Sequence, residues 1–336
     1  MSTPKFGEQL VLVTICLPTI RAGSVKEAID AIRQQTSPNW ELIVVPQGPD
    51  PVMIRVLDEY VAADSRIRYV HVDMMNASNA RNVAMQAAHG DVFAFTDDDC
   101  EVAPNWVEVM IDELTAHPTV GVIGGEVVAP KSEQPWRIST CPAAHVLDAV
   151  YYPQERNHRA PDGFYMIGAN IAVRREAAER IGLFDVILGA GAYFACCEDQ
   201  DIIVRAEALD IGLMTTKRLV VNHTTGRRYG VKQFLKHQRN YALGRGAWIT
   251  KLQMWNHRLG DEWSRPETFR SQAKQFFTQP HRWVFNRYGN HYKKIGAARY
   301  RAMYELGDDV LSHPRGTSGA VKGSDLVRRA SESRSS

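Results

Sequence analysis

Three consecutive carboxylates, Asp97, Asp98 and Asp99, follow an apolar run in the segment FAFTDDDCE. Adjacent like charges repel one another, and three of them cost stability unless a cation lies among them. Hard divalent cations such as Mg²⁺ and Mn²⁺ prefer carboxylate oxygens and commonly take one or two protein carboxylates together with substrate phosphates. The segment is therefore either a solvated acidic turn or a cation site, and the triplet alone favours the turn.

A second acidic group and a histidine carry side chains suited to the same chemistry. Residues 198–201 read EDQD and begin a predicted helix, and His223 ends an apolar strand. Each has an ordinary structural explanation, because helix starts favour acids and a lone histidine is more often a hydrogen-bonded structural residue than a ligand. Their roles depend on whether the fold brings them to the three aspartates.

The elements around these residues alternate between strands and helices. Continuous apolar runs predict strands buried on both faces, and apolar residues at helical spacing predict the helices between them. The predicted strands are 10–17, 40–50, 67–73, 91–99, 120–128 and 213–225, and the predicted helices are 24–35, 51–63 and 76–90, with a strand that turns into a helix at 168–182. This order predicts an α/β fold with a doubly wound, mostly parallel sheet and right-handed crossovers.

Local signals refine these elements. Ser24, with Glu27 three residues later, predicts a capping box at the first helix, and Gly90 predicts the C-terminal stop of the third. Ligands of open α/β sheets bind outside the carboxyl ends of the strands, where the fourth predicted strand carries its three acids. Alternation along that strand would place Asp97 and Asp99 on one side and Asp98 on the other.

The charge of the chain is unevenly distributed. Residues 227–305 contain 17 Lys and Arg against four acids, a local balance of +13 in a chain whose net charge is +2. The rest of the chain is therefore acidic, which indicates different roles for the acidic body and the basic C-terminal third.

The five cysteines are an odd number without a Cys-x-x-Cys pair, which favours reduced thiols in a cytoplasmic protein. We predict neither a signal peptide nor a membrane-spanning segment.

Three interpretations compete for the basic, aromatic residues 227–305. The first is a helical extension packed on the sheet, with its aromatic side chains inward and its cations solvated. The second is a peripheral contact with the inner face of a membrane, where each cation near an anionic leaflet contributes roughly 1 kcal/mol. Nucleic-acid binding comes last, and we predict no nucleic-acid partner, because the body is acidic and no recognition motif occurs.

Five segments, taken together and in order, resemble the family 2 glycosyltransferases of the GT-A fold. They are VTICLPTIR, WELIVVPQGPD, SNARNVAMQAAHGDVFAFTDDDCEVAPNW, GANIAVRREAAERIGLFD and EDQDIIVRA. The third contains the Ala-Arg-Asn helix, the Gly-Asp and the Asp-x-Asp strand of that family, and the resemblance covers about residues 11–225. It implies a GT-A-like domain at 8–226. Composition predicts that this domain is followed by a basic aromatic helical extension at 227–313 and a small, polar, disordered tail at 314–336.

The resemblance also implies an activity and a set of site residues. The activity is metal-dependent, inverting transfer of a hexosyl or deoxyhexosyl group from a nucleotide-sugar donor to a hydroxyl of a glycan or lipid-linked acceptor, in surface polysaccharide or glycolipid synthesis. Asp199 would be the general base, with Glu198 beside it. Mg²⁺ or Mn²⁺ would be bound by Asp99, Asp97 and His223. The nucleotide would contact Pro18, Thr19, Arg21, Gln47, Asp50, Arg81, Asp97 and Asp98.

Elementary chemistry agrees with these roles. A nucleoside diphosphate leaving group gains negative charge as the glycosidic bond breaks, and a bound divalent cation stabilises that charge as a Lewis acid. The acceptor hydroxyl needs a carboxylate base on the opposite face of the anomeric carbon. One carboxylate group for the metal and another for proton removal is what this reaction requires.

One departure from the family leaves the nucleobase open. The second strand of the family usually ends in an acid that contacts the base, and here Pro46 occupies that position, with Gln47 or Asp50 as substitutes. Uridine is favoured, thymidine is close and guanosine stays open. Two alternatives to the transferase are a nucleotidyltransferase of similar fold and a non-catalytic sugar-nucleotide-binding or scaffold subunit. Against the nucleotidyltransferase, the sequence has no Gly-rich phosphate loop after the first predicted strand. Against the non-catalytic subunit, the acids at 97–99 and 198–201 are intact.

Overall fold

The computed structural model describes residues 11–132, 139–224, 228–264 and 280–315. Thirteen strands occur in these ranges: β1 (Val13–Thr19), β2 (Trp40–Pro46), β3 (Ile67–Tyr69), β4 (Val92–Phe95), β5 (Cys100–Val102), β6 (Val120–Val128), β7 (Ser139–Thr140), β8 (Ala149–Tyr151), β9 (Ile171–Arg174), β10 (Gly212–His223), β11 (Arg228–Tyr229), β12 (Tyr304–Leu306) and β13 (Ser312–Pro314). Nine of them form one sheet in the order β3-β2-β1-β4-β9-β6-β10-β5, with β8 beside β10.

Nine α-helices lie in the same described ranges. They are α1 (Ser24–Arg33), α2 (Pro51–Ala63), α3 (Ala77–Ala87), α4 (Trp106–Ala116), α5 (Arg175–Ile181), α6 (Glu198–Ala208), α7 (Val231–Met254), α8 (Arg258–Ser264) and α9 (Pro280–Met303). Among the helices that the structure describes, none is long and apolar enough to cross a membrane.

The sheet is mixed and mostly parallel, which confirms the predicted α/β class. Strands β3, β2, β1 and β4 run parallel, and every residue of β1, β2 and β4 is buried, as expected for strands covered by helices on both faces. The carboxyl ends of these strands therefore open on one edge of the sheet. Strand β9 is inserted antiparallel between β4 and β6, and β5 pairs antiparallel with β10.

Three local predictions were wrong. Helix α1 has Gly23 as its N-cap and no side-chain cap, so Ser24 forms no capping box. Helix α3 ends at Ala87, before Gly90. Gly90 instead lies against β1, where a Cβ atom would come within 2.6 Å of the backbone of Thr14, so close packing rather than helix termination requires glycine. Strand β4 ends at Phe95, so the alternation expected for the three acids does not apply to them.

The C-terminal region is helical, as predicted, and packs on the body of the molecule. Trp248 of α7 and Tyr300 of α9 are buried in one apolar cluster with Leu188 and Phe194. This packing supports the first of the three interpretations, although Trp263 keeps 45% of its surface exposed. Membrane contact stays a prediction. Two of the aromatic residues on which that prediction rests, Phe276 and Phe277, lie outside the described residues. Pro314, the first residue of the predicted tail, belongs to β13, and 316–336 lie outside the described residues.

A buried ion pair reinforces that packing. The ammonium group of Lys251, on α7, is fully buried and lies 2.8 Å from carboxylate oxygens of both Asp185 and Asp201. Asp201 belongs to α6, and Asp185 also accepts hydrogen bonds from the backbone N–H and hydroxyl of Ser312. One lysine therefore connects α7 to α6 and to the segment before it. The predicted boundary at residue 226, between the GT-A-like domain and the helical extension, stays a prediction.

Replacing Lys251 by methionine keeps most of the side-chain volume but removes the cation between two buried carboxylates. We expect Lys251→Met to lower the free energy of unfolding by about 3 kcal/mol, because a broken buried pair leaves charge uncompensated. Denaturant unfolding measures this difference. The control Lys236→Met, at an exposed position of the same helix, should change it by less than about 0.5 kcal/mol. Equal effects of the two substitutions would contradict this role of Lys251.

Candidate active site

A cleft of about 640 Å³ lies at the carboxyl ends of β1, β2 and β4. Its walls come from the sheet edge, from the start of α6 and from the C-terminal helices α7 and α9. All but one of the site residues predicted from the sequence line it: Pro18, Thr19, Arg21, Gln47, Arg81, Asp97, Asp98, Asp99, Glu198, Asp199 and His223. The fold therefore brings the two acidic groups and the histidine to one place.

A buried arginine on α3 connects the two acidic groups. The guanidinium of Arg81 donates hydrogen bonds of 2.9 Å to Asp97, after β4, and of 2.9 Å to Glu198, at the start of α6. Its side chain is only 3% exposed. Burial by itself lowers the pKa of Arg81, but the charges of Asp97 and Glu198 outweigh it and raise that pKa. The guanidinium thus supplies a permanent positive charge between acids that are 101 residues apart in sequence.

A second arginine holds the middle acid of the triplet. Asp98 is buried and accepts hydrogen bonds from the hydroxyl of Thr19 at 2.7 Å, from the backbone N–H of Ile20 at 3.2 Å and from the guanidinium of Arg21. The Arg21 guanidinium also lies 3.1 Å from Asp99. The oxygens of Asp98 are engaged by the end of β1, so its position suits fixing the loop rather than contacting a nucleotide.

The residues best suited to hold a divalent cation lie where β5 meets β10. Asp99, Cys100 and His223 place one ligand atom each within 4.8 Å of one another, and the antiparallel register pairs Cys100 with His223. The Nδ1 atom of His223 is buried, has no hydrogen-bond partner in the described part of the chain and lies 3.6 Å from Asp99. Imidazole and carboxylate suit Mn²⁺ better than a thiol does. Burial raises the pKa of the Cys100 thiol well above its usual range, which favours Asp99 and His223 as ligands.

Asp199 lies at the N-terminus of α6 and faces the cleft. Cys197, two residues before Asp199, is the N-cap of α6 and adopts a positive φ of 73°, which turns the chain sharply into the helix. The carboxylate of Asp199 accepts hydrogen bonds from the backbone N–H groups of Gly168 (2.9 Å) and Gln200 (2.7 Å). Burial and the charge of Glu198 raise the pKa of Asp199 to about 7, against the opposing effect of those N–H groups. A carboxylate with this pKa can accept a proton near neutral pH.

The two candidates for contacting the nucleobase differ in the structure. Asp50 does not line the cleft, because it caps α2 by accepting hydrogen bonds from the backbone N–H groups of Val52 and Met53. We therefore withdraw Asp50 as a nucleotide contact. Gln47 does line the cleft, and its Oε1 atom accepts a 2.7 Å hydrogen bond from the backbone of Asn76, which fixes the orientation of the amide.

Several lining residues were assigned no site role from the sequence. The N–H of Gly168 contacts Asp199, although GANIAVR was interpreted as a strand that turns into a helix and as part of a family segment, with no role for Gly168. Tyr165 lines the cleft, and so do Tyr241 and Arg245 of α7 and Lys293 of α9. The interleaving of aromatic and cationic residues was visible, but nothing in that pattern indicates which of them would face the sheet edge.

The matching family model is that of glycosyl transferase family 2, and it covers residues 14–182. This is just over half of the chain, so the chain belongs to glycosyl transferase family 2, as the resemblance implied.

Individual relatives share shorter stretches of sequence. A glucosyl-dolichyl phosphate glucuronosyltransferase of Haloferax volcanii is 29% identical over 119 residues, which are 35% of this chain and 38% of that protein. A putative colanic acid biosynthesis glycosyl transferase of Escherichia coli, WcaA, is 34% identical over 113 residues, which are 32% of this chain and 40% of that protein. The chain thus spans less than half the length of either relative.

Solved structures match the fold over most of the chain. The mannosyltransferase PcManGT from Pyrobaculum calidifontis, solved in complex with GDP-Man and Mn²⁺, superposes with a TM-score of 0.51 at 16% identity and covers 98% of this chain and 82% of its own. Similarity at this level of identity shows the GT-A glycosyltransferase fold.

The bridge formed by Arg81 gives a testable expectation. Arg81→Met should lower the free energy of unfolding by about 3 kcal/mol, because Asp97 and Glu198 lose their shared counter-charge. Adding Glu198→Gln should recover part of that loss, so the double variant should be more stable than the sum of the single effects predicts. Denaturant unfolding of the four proteins measures the coupling. The matched control is Arg55→Met, at an exposed position of α2. Strictly additive effects would rule out the bridge.

Proposed function

We propose that this protein is a metal-dependent, inverting glycosyltransferase that moves a sugar from a nucleotide-sugar donor to an acceptor hydroxyl. The observation that carries the proposal is that two carboxylate groups from distant segments line one cleft at the carboxyl edge of the sheet. The first group contains Asp99, which lies beside His223. The second group contains Asp199, whose pKa is raised to about 7. Family membership supports the same reaction class.

Asp99 and His223 form the donor side of the proposed site, with Asp97 beside them. They would hold Mg²⁺ or Mn²⁺, which supplies Lewis-acid stabilisation of the diphosphate leaving group. Arg21 keeps Asp99 in place, and Arg81 does the same for Asp97. A fixed charge arrangement of this kind stabilises the developing negative charge without reorganisation during the reaction.

Asp199 forms the acceptor side, as the general base. Its two N–H partners orient the carboxylate, and a pKa near the working pH suits proton removal from a hydroxyl. Glu198 positions this group in two ways, since it anchors the start of α6 to Arg81 and its charge raises the pKa of Asp199. Direct displacement at the anomeric carbon with a single base inverts its configuration, as proposed.

The donor nucleotide is proposed to be a uridine or thymidine diphosphate. Pro18 and Thr19 line the pocket at the end of β1, and Gln47 lines it next to Pro46, which occupies the position of the family's usual acid. Its carbonyl oxygen is engaged by Asn76, so the amide NH₂ is the group proposed to contact a carbonyl oxygen of the base. We propose a glycan or lipid-linked acceptor in surface polysaccharide or glycolipid synthesis. The Escherichia coli relative supports this proposal, because its name assigns it to colanic acid biosynthesis.

A nucleoside-diphosphate release assay tests the proposed function. UDP-, dTDP- and GDP-sugars are screened with Mn²⁺ or Mg²⁺, and the wild type is expected to release the nucleoside diphosphate only when metal is present. Asp99→Ala should abolish the metal-dependent release, and Asp199→Asn should slow it by about 10²–10⁴-fold. Matched controls are Asp73→Ala and Asp73→Asn, at a fully exposed carboxylate outside the cleft.

Other results of this assay would overturn the proposal. Release of pyrophosphate instead would identify a nucleotidyltransferase. Turnover of none of the donors, together with no metal-dependent nucleotide binding by calorimetry, would favour the scaffold subunit.

The raised pKa of Asp199 predicts a pH dependence of turnover. The base must be ionised, so kcat/KM should fall about tenfold per pH unit below about 7 and level off above it. Glu198→Gln removes the neighbouring charge that raises this pKa, so the inflection should move to lower pH. The pH profiles of the two proteins measure the shift. An inflection that stays in place or moves to higher pH in Glu198→Gln would contradict the assignment of Asp199 as the base.

A further inference from the structure

The cleft contains an arginine with a different environment from the other two. Arg21 is paired with Asp98 and Asp99, and Arg81 is paired as described above. Arg245 of α7 also lines the cleft but is exposed, and it has no hydrogen-bond or ion-pair partner among the described residues. An exposed cation without a carboxylate partner, aimed into a substrate cleft, is available for an anionic group of a ligand.

The backbone around Arg245 is held on both sides by close packing. A Cβ atom on Gly244 would come within 2.6 Å of the sulfur of Cys196, and one on Gly246 within 2.0 Å of the carbonyl oxygen of Lys293. Only glycine allows these approaches. Each glycine inside a helix costs about 1 kcal/mol relative to alanine. The helix nevertheless carries one glycine on each side of Arg245. The close contacts of these two glycines fix the backbone of Arg245 between the segment leading into α6 and the helix α9.

This placement puts the guanidinium on the acceptor side of the cleft. Gly244 contacts Cys196, three residues before Asp199, the proposed base. Burial raises the pKa of Tyr165 to about 12, the charge of Asp199 adds to the rise, and the positive charge of Arg245 opposes it. Asp199 and Arg245 are therefore both electrostatic neighbours of Tyr165, and all three residues line the cleft.

The positive charge continues away from the cleft. Lys293 and Asn290 line both the cleft and a second cavity of about 620 Å³ between α7 and α9. The described residues that line this second cavity include four cationic side chains and no carboxylate; the cations are Arg287, Lys293, Lys294 and Arg301. A ligand that leaves the cleft in this direction meets positive charge only.

We propose that the acceptor carries an oxyanion, a phosphate or a carboxylate, next to the hydroxyl that is glycosylated, and that Arg245 binds this oxyanion. The proposal rests on the proposed transfer reaction and names the class of its acceptor. A phosphate would come from a sugar linked through phosphate to a carrier, and a carboxylate from an acidic sugar. Arg245 discriminates such acceptors from neutral ones because only an oxyanion adds an opposite charge to the hydrogen bond and can accept two parallel N–H bonds from the guanidinium.

Binding of three small probes to the metal-free, chelator-treated full chain tests the proposal, because without metal a phosphate cannot bind through the cation site. The probes are glucose 1-phosphate, methyl glucuronide and methyl glucoside, titrated by calorimetry. At least one anionic probe should bind roughly tenfold more tightly than the neutral one. Arg245→Gln should remove the difference. Arg299→Gln, at an exposed position of α9 outside the cleft, should keep it.

Each outcome is informative. Preference for glucose 1-phosphate indicates a phosphate-linked acceptor, and preference for methyl glucuronide an acidic sugar. Equal binding of the three probes, no detectable binding of either anionic probe, or a preference that survives Arg245→Gln would overturn the proposal. Loss of sedimentation with phosphatidylglycerol vesicles in Arg245→Gln, without discrimination among the sugars, would assign the cation to a membrane and would also overturn it. Because donor turnover is measured separately in the release assay, failure here is distinguishable from failure of the proposed function.

Discussion

The shared ion pair of Arg81 is the interaction on which the rest of the site depends. Five carboxylates line one cleft, and their mutual repulsion would separate the turn after β4 from the start of α6. A guanidinium suits this position because its planar fork donates to two acids at once and keeps its charge when buried. Helix α3, which carries it, is capped by Asn76 and packed under the sheet edge, so the charge is fixed by the fold rather than by solvent.

The proposed cation site depends on a different feature, the change from parallel to antiparallel pairing at the far side of the sheet. Parallel strands bring their carboxyl ends to one edge, but the end of β10 reaches Asp99 only because β5 reverses direction and pairs with it. The backbone N–H of Thr224 also donates to the carbonyl oxygen of Asp99. The histidine and the carboxylate are therefore positioned by backbone hydrogen bonds, which suits a site that has to keep its geometry when empty.

The α/β class and all five lining acids could be predicted from the sequence, because apolar runs and acids at strand ends or helix starts are local signals with a direct physical cause. Helix 51–63 was placed at its observed bounds for that reason. The sequence alone could not show whether Asp50 caps a helix or contacts the nucleotide, because a carboxylate before a helix suits both roles. The exposed wall formed by α7 and α9 was also beyond reach, since its position depends on the contacts of Gly244 and Gly246 with residues distant in sequence.

The buried Lys251 has a consequence for how such a protein can change over evolution. Its ammonium group pairs both with Asp201, on the helix that carries the proposed base, and with Asp185. A C-terminal region without a cation at this point would leave Asp185 buried without a positive charge and Asp201 with Arg205 alone. The ion pair thus couples the extension to the sheet domain, and a change in the proposed acceptor preference is compatible with it when the substitutions in α7 and α9 leave Lys251 in place.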